Sequence, residues 1–80
     1  MIREKILKHL AEITGEDEVK RNPDIELFTT GLLDSFGTIQ LFVAIQEDLN
    51  LDVAPTEVDR EMWATPNKII KYLEDRAREV

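Results

Sequence analysis

The sequence predicts an all-α fold, a small bundle of three long helices and one short helix. Apolar residues recur every three to four positions in three separate stretches, which is the spacing of one helix face. No stretch of useful length alternates apolar and polar residues with the period of a strand. The 80 residues include no cysteine, so we expect a single domain, residues 1–80, with one small core and no disulfide framework.

The first long helix is predicted over roughly residues 2–14, and Gly15 follows it as a stop signal. Its apolar face consists of Ile2, Ile6, Leu7, Leu10 and Ile13. Residues 15–34 form a long polar connection, and an unstructured loop of about 20 residues is uncommon in a compact domain. We therefore expect a single helical turn to hold this connection to the core through Ile25, Leu27 and Phe28.

The second long helix is predicted to begin near Asp34 or Ser35, which are both good N-cap residue types. Asn50 is its expected stop signal. Apolar side chains cover more than half of its circumference, so we expect it to lie buried between other helices.

Two further helices are predicted after Pro55. The spacing of Val58, Met62 and Trp63 predicts the short helix. Trp63 is expected in the core, and the edge of the face that partners contact is the alternative. Thr65-Pro66 is a start signal for the last long helix, because an N-cap residue is followed by proline at the first helical position.

The net charge of −7 is concentrated in the middle of the chain. Between Asn22 and Asp59 there are eight acidic residues and no lysine or arginine, whereas the charges on either side nearly cancel. We expect no binding to nucleic acid, whose phosphates require lysine and arginine. The acidic face suits salt-sensitive encounters with basic partner surfaces, and a surface that only maintains solubility is the alternative.

The sequence also bears on location. No apolar run approaches the roughly 18 residues that span a bilayer, and the first residues alternate charged and apolar side chains without the apolar core of a signal peptide. We expect a cytoplasmic, soluble protein with no direct membrane insertion. The charge imbalance favours a monomer.

Ser35 is the residue of chemical interest, but its surroundings argue against catalysis. The nucleophile elbow of a hydrolase is Gly-x-Ser-x-Gly, and here the residue two positions before Ser35 is Leu33. The single histidine, His9, lies in the predicted first helix and is expected to be an exposed surface residue rather than a general base. One histidine and no cysteine do not supply an ordinary metal site. We expect no catalytic residue, no metal and no enzymatic activity.

A serine at a helix start is instead well placed for modification by another enzyme. The helix N-terminus offers unpaired N–H groups and the positive end of the helix dipole, which favour a phosphate esterified to Ser35. Gly37 costs up to roughly 1 kcal/mol of helix propensity, which is understandable if a partner or a bulky modification must approach the backbone. The alternative is that Asp34-Ser35 is only a capping pair and that Gly37 belongs to the loop.

The segment Leu32-Leu33-Asp34-Ser35-Phe36, followed by an apolar helix, resembles the phosphopantetheine-attachment segment of acyl and peptidyl carrier proteins. Length, acidity and the long first loop extend this resemblance over essentially the whole chain, which implies an acyl-carrier-like bundle. Three further segments are similar to the D-alanyl carrier protein family in particular: Asn22-Pro23-Asp24-Ile25, Gly31-Leu32-Leu33 and residues 57–67. Val58 departs from the phenylalanine expected in that family.

The resemblance implies a function. Ser35 would carry covalent 4′-phosphopantetheine, transferred from coenzyme A by a phosphopantetheinyl transferase that recognises Asp34. An ATP-dependent D-alanine–carrier protein ligase would load D-alanine on the terminal thiol as a thioester. The carrier would then deliver D-alanine to a membrane-bound O-acyltransferase for the D-alanylation of lipoteichoic and wall teichoic acid.

Five residues near the expected attachment point are predicted to contact these partners. They are Leu33, Phe36, Ile39, Gln40 and Val43. For Phe36, packing on the core is an even alternative, and the sequence does not separate exposed from core positions for Leu33 and Val43.

Two other functions remain open at this point. A carrier for another cargo, such as a fatty acyl chain, would need a cavity between its helices, whereas a D-alanyl group is too small to require one. An unmodified helical adaptor would use only its acidic face and would keep its function after Ser35→Ala, which a carrier would not.

Overall fold

A computed structural model describes residues 2–78 and shows helices with no strand among them. The helices are α1 (Ile2–Thr14), α2 (Glu18–Arg21), α3 (Ser35–Ala44) and α4 (Pro66–Arg78). A π-helical segment, Ile45–Leu49, continues α3, and a 3₁₀-helix spans Pro55–Glu57. The predicted all-α class and its three long helices are confirmed.

The boundaries of the long helices follow from their terminal residues. Gly15 has a φ of 75° just after α1, and Asn50 has a φ of 55° just after the π-helical segment. Both residue types adopt this left-handed conformation more readily than others, so each ends its helix as predicted. At the start of α4, the Thr65 hydroxyl accepts a hydrogen bond from the Lys68 N–H at 3.2 Å, and Pro66 is the first helical residue.

The core lies where α1, α3 and α4 meet, and the long connection contributes to it. Its fully or almost fully buried apolar residues include Ile6, Leu10, Val19, Leu27, Leu41, Ile45, Trp63, Ile69 and Leu73. Burying a side chain of this size contributes about 1.5–3 kcal/mol. Trp63 is 1% exposed, which confirms its predicted place in the core.

The connection between α1 and α3 is held to the start of α4 by its backbone. The Leu27 N–H donates to the Ala64 carbonyl at 2.8 Å, and the Asn67 N–H donates to the Pro23 carbonyl at 2.9 Å. Leu27 is buried as expected, but residues 25 and 26 are extended or irregular and residues 27–30 form a turn, so no helix spans residues 25–28. The helical part of the connection is α2, which buries Val19.

The short helix lies earlier than predicted. Val58 is extended, with φ −124° and ψ 148°, and residues 60–63 form a turn rather than a helix. The Asp59 carboxylate accepts a hydrogen bond from the Met62 N–H at 2.9 Å. This is the hydrogen bond of an N-cap, as at Asp34, but the turn that it opens ends at Trp63. Thr65-Pro66 already begins α4, and the residue before a proline is disfavoured in a helix.

Glu57 ties the 3₁₀-helix to α4. Its carboxylate accepts hydrogen bonds from the Arg76 guanidinium and, at 3.1 Å, from the Tyr72 hydroxyl. Arg76 also donates to the Asp52 carbonyl at 3.0 Å. The hydrogen bond from Arg76 lowers the pKa of the Glu57 carboxyl below its ordinary value of 4.5.

His9 is not the freely exposed residue that was expected. Its Nε2 atom lies 2.8 Å from an Asp48 carboxylate oxygen, and Lys5 Nζ lies 3.6 Å from the other. The hydrogen bond with His9 lowers the pKa of Asp48. These contacts of His9 and Lys5 with Asp48 join α1 to the π-helical segment. The residues are too far apart in sequence for a local pattern to predict the contact.

Candidate functional site

Ser35 is the first residue of α3, and Asp34 is its N-cap. The Asp34 carboxylate accepts a hydrogen bond from the Gly37 N–H at 2.7 Å, and the Asp34 carbonyl accepts one from the Thr38 N–H at 2.8 Å. The N–H groups of Ser35 and Phe36 precede the first intrahelical hydrogen bond, so the positive end of the helix dipole lies at Ser35. Both of these side chains are exposed.

The packing around position 37 explains why a glycine occurs there, which the sequence did not reveal. It is buried, and a β-carbon there would lie 3.0 Å from Leu33 Cδ1 and 3.2 Å from Ile13 Cγ2. The glycine therefore permits the close approach of α1, α3 and Leu33. This packing accounts for Gly37 without a partner or a modification at its backbone, and Gly37 lies within α3 rather than in the loop.

The five predicted contact residues divide into one buried and four exposed. Leu33 is 2% exposed and packs under Gly37, so its side chain is part of the core and not of a contact surface. Phe36 is 70% exposed, Ile39 58% and Val43 47%. With exposed Gln40, these residues form one face of α3, which we call the α3 strip.

Ser35 also borders an open groove of about 240 Å³, here called the serine groove. One wall is α3 and the other is the segment from Pro55 to Trp63. At its floor the rings of Phe42 and Trp63 stack with centroids 4.9 Å apart, and the edge of Tyr72 lies behind Trp63 at 6.0 Å. The groove is therefore lined mainly by apolar and aromatic side chains.

Arg60 is the site residue that sequence reasoning missed. It lines the serine groove together with Ser35, and its guanidinium carbon lies 5.2 Å from the centroid of the Phe28 ring. The acidic middle of the chain ends at Asp59, so the local charge pattern predicted surroundings of Ser35 without a cation. The Asp59-Arg60 pair within the carrier-like motif was the available signal.

The site is not arranged for catalysis by its own residues. The charged residues that line the serine groove are Asp59 and Arg60, and the Asp59 carboxylate already accepts the Met62 N–H. His9 pairs with Asp48, which lies roughly 20 Å along the helix axis from Ser35. Among residues 2–78 no three histidine, cysteine or acidic side chains are grouped to hold a metal ion.

What the arrangement offers is an exposed hydroxyl on a capped helix, beside an apolar groove and next to an exposed apolar strip. The Ser35 hydroxyl is therefore accessible from outside the protein. The phosphopantetheine attachment site family matches residues 4–73. The chain belongs to this family, whose members are non-catalytic carrier proteins with covalently attached 4′-phosphopantetheine.

One relative indicates the kind of carrier more narrowly than the family does. A D-alanyl carrier protein of Bacillus velezensis is 52% identical to this chain over 71 residues, which is 89% of this chain and 91% of that protein. The predictions of a carrier family, of a covalent phosphopantetheine and of a protein without catalytic activity are thereby confirmed.

Proposed function

We propose that Ser35 is the attachment residue for 4′-phosphopantetheine and that the loaded protein carries D-alanine for the D-alanylation of teichoic acids. The observation that carries this proposal is the exposed Ser35 at the first position of α3, beside the serine groove. The 52% identical relative is a D-alanyl carrier protein, which supports D-alanine as the cargo.

The residues around Ser35 fit the prosthetic group. Its phosphate would lie at the positive end of the α3 dipole, where the Asp34 carboxylate caps the first turn by accepting the Gly37 N–H. When attached, the group supplies a terminal thiol that holds an acyl cargo as a thioester. The chain has no cysteine, so no side-chain thiol competes for the cargo.

The packing beside Ser35 supports a small cargo. A fatty-acyl carrier must open a cavity between its helices, and here the stacked rings of Phe42 and Trp63, backed by Tyr72, fill the space under the serine groove. Opening a chain-length cavity there would separate these rings, and the loss of such packing is costly. A D-alanyl group needs no cavity.

Three partners act in turn in this proposal. A phosphopantetheinyl transferase recognises Asp34 and modifies Ser35, a D-alanine–carrier protein ligase loads the thiol, and a membrane-bound O-acyltransferase accepts D-alanine. Each partner meets the α3 strip, whose apolar residues Phe36, Ile39 and Val43 are exposed. Because the same face serves several partners, modest affinity and rapid exchange suit the hand-offs.

The acidic middle of the chain supports the same sequence of encounters. Its eight acidic residues favour fast association with basic partner surfaces, an effect that salt weakens. No helix within residues 2–78 is both long and apolar enough to cross a membrane. We place the protein in the cytoplasm as a monomer that meets the acyltransferase at the membrane surface.

The test is the intact mass of the protein after successive incubations. Coenzyme A with a phosphopantetheinyl transferase should add one phosphopantetheine, and D-alanine with ATP and the ligase should then add one alanyl group. Ser35→Ala should gain neither, whereas Thr38→Ala, which removes a nearby hydroxyl, should gain both. Modification of Ser35→Ala would refute the attachment residue. Modification of the wild type without alanine would refute the cargo and leave a carrier of another acyl group.

A further inference from the structure

The serine groove combines a cation with the proposed attachment residue. Between Asn22 and Asp59 the chain has no basic residue, yet the turn at residues 60–63 brings Arg60 into the lining that contains Ser35. The other ionisable neighbours, Asp34 and Asp59, are acidic. A phosphate esterified to Ser35 would therefore be repelled by the carboxylates of Asp34 and Asp59, unless the positive charge of Arg60 compensates them.

Arg60 is held in place by Phe28 and forms no ion pair with an acidic side chain within residues 2–78. The ion pairs that the structure shows within residues 2–78 involve Lys5, His9, Arg21, Arg76 and Arg78 as the basic partners, and not Arg60. Its guanidinium lies over the face of Phe28. Adjacent Asp59 directs its carboxylate to the Met62 N–H.

This arrangement leaves the guanidinium edge available for an anion. An arginine can stack on an aromatic ring and donate from its edge to phosphate oxygens at the same time, because the group is planar and its N–H donors point outward in the plane. Stacking on Phe28 also restricts the side chain, so less conformational entropy is lost when the anion binds.

Resting on the proposed attachment at Ser35, we propose that Arg60 binds the phosphodiester of the 4′-phosphopantetheine and is a positioning residue for the arm. The ion pair directs the first bonds of the arm into the serine groove, toward Val58 and Phe42. It thereby keeps the arm off Phe36, Gln40 and Val43 of the α3 strip, which stay open for partners, whereas Ile39 borders both the groove and the strip. Because the arm is tethered at Ser35, a weak contact suffices to populate this position.

The experiment uses ³¹P NMR of the modified, full-length protein, whose phosphodiester gives one resonance. Arg60→Gln should shift this resonance, and Arg21→Gln is the matched control, since Arg21 pairs with Glu18 on α2 outside the groove lining. Raising NaCl from about 0.1 M to about 1 M shortens the screening length from about 10 Å to about 3 Å. The wild-type resonance should move toward that of Arg60→Gln, which should itself respond little.

Two further NMR measurements test the role of Arg60. The Arg60 side-chain N–H resonance should move between the unmodified and the modified protein, and Arg60→Lys should retain the salt response with a smaller shift. Identical ³¹P positions and salt responses for Arg60→Gln and Arg21→Gln would overturn the role of Arg60, with the attachment itself intact. Absence of any mass gain at Ser35 would overturn both proposals, and the mass spectrum distinguishes these two failures.

Discussion

Asp34 has one role that the structure shows and a second that the proposed function adds, and substituting it tests both. The structure shows its carboxylate as the N-cap of α3, accepting the Gly37 N–H at 2.7 Å. The proposed function adds recognition of its charge by the phosphopantetheinyl transferase. Asn caps helices about as well as Asp, whereas Ala does not cap them. Asp34→Asn therefore keeps the cap and removes the charge, and Asp34→Ala removes both.

The expected magnitudes follow from this hydrogen bond. Loss of an N-cap costs about 1 kcal/mol, within a range of about 0.5–2. A chain of 80 residues has an unfolding entropy near 0.17 kcal/mol/K, so about 1 kcal/mol lowers the melting temperature of Asp34→Ala by about 6 °C. Asp34→Asn loses only the attraction between the charge and the helix dipole, about 0.3–1 kcal/mol.

The rate of phosphopantetheine transfer should depend on the charge of Asp34 rather than on its capping hydrogen bond. A hydrogen bond to a charged group contributes about 1.5–3 kcal/mol, so losing the charge should slow phosphopantetheine transfer at least about tenfold in both variants. Thermal unfolding followed by circular dichroism gives the stabilities, and intact mass against time gives the rates. If Asp34→Asn is loaded at the wild-type rate, Asp34 is a cap and nothing more. If Asp34→Ala melts with the wild type, the capping argument is wrong.

Three further predictions concern packing, pH and recognition. Gly37→Val should lower the melting temperature by several degrees, because its side chain would overlap Leu33 and Ile13, and overpacking costs about 1–3 kcal/mol; an unchanged melt would contradict this. Since Arg76 lowers the folded-state pKa of Glu57, the stability it gives is present above about pH 4.5 and is lost as the pH falls through the lowered pKa. Urea unfolding should thus show wild type and Glu57→Gln converging on acidification, and a constant difference would refute the linkage. Phe36→Ser should slow loading by the ligase without lowering the melting temperature, because the side chain is 70% exposed; an equal loss of stability would mean that Phe36 packs on the core.

The long helices could be predicted because local signals agree with the periodicity. Gly15, Asn50 and Thr65-Pro66 mark ends that the backbone angles and the Thr65 cap confirm. Helix α2 could not be predicted in this way, since four residues with one buried side chain, Val19, give no period. The short helix was misplaced because the helical spacing of Val58 and Met62 produces only a turn, and Thr65-Pro66 begins the next helix directly after it.

The site was less predictable than the helices because it depends on distant contacts. Whether Asp34 or Ser35 is the cap depends on one residue of backbone conformation, and both types suit the position. The burial of Leu33 and Gly37 depends on how closely Ile13 of α1 approaches. Arg60 lies near Ser35 only because of the path that residues 50–65 take between the π-helical segment and α4. No local sequence pattern predicts that path.

The neighbours of Ser35 explain why a carrier would place its prosthetic group here. Asp34 is held by the backbone of the first turn, Leu33 is buried, and Gly37 is packed against α1. The proposed attachment residue is therefore flanked by packed and capped residues, while its own side chain and that of Phe36 are exposed. In the proposed function, the arm would move during delivery while α3 stays in place, so successive partners would meet the same surface. A partner that recognises a fixed α3 strip loses little entropy on binding, and its selectivity must come from the side chains exposed there.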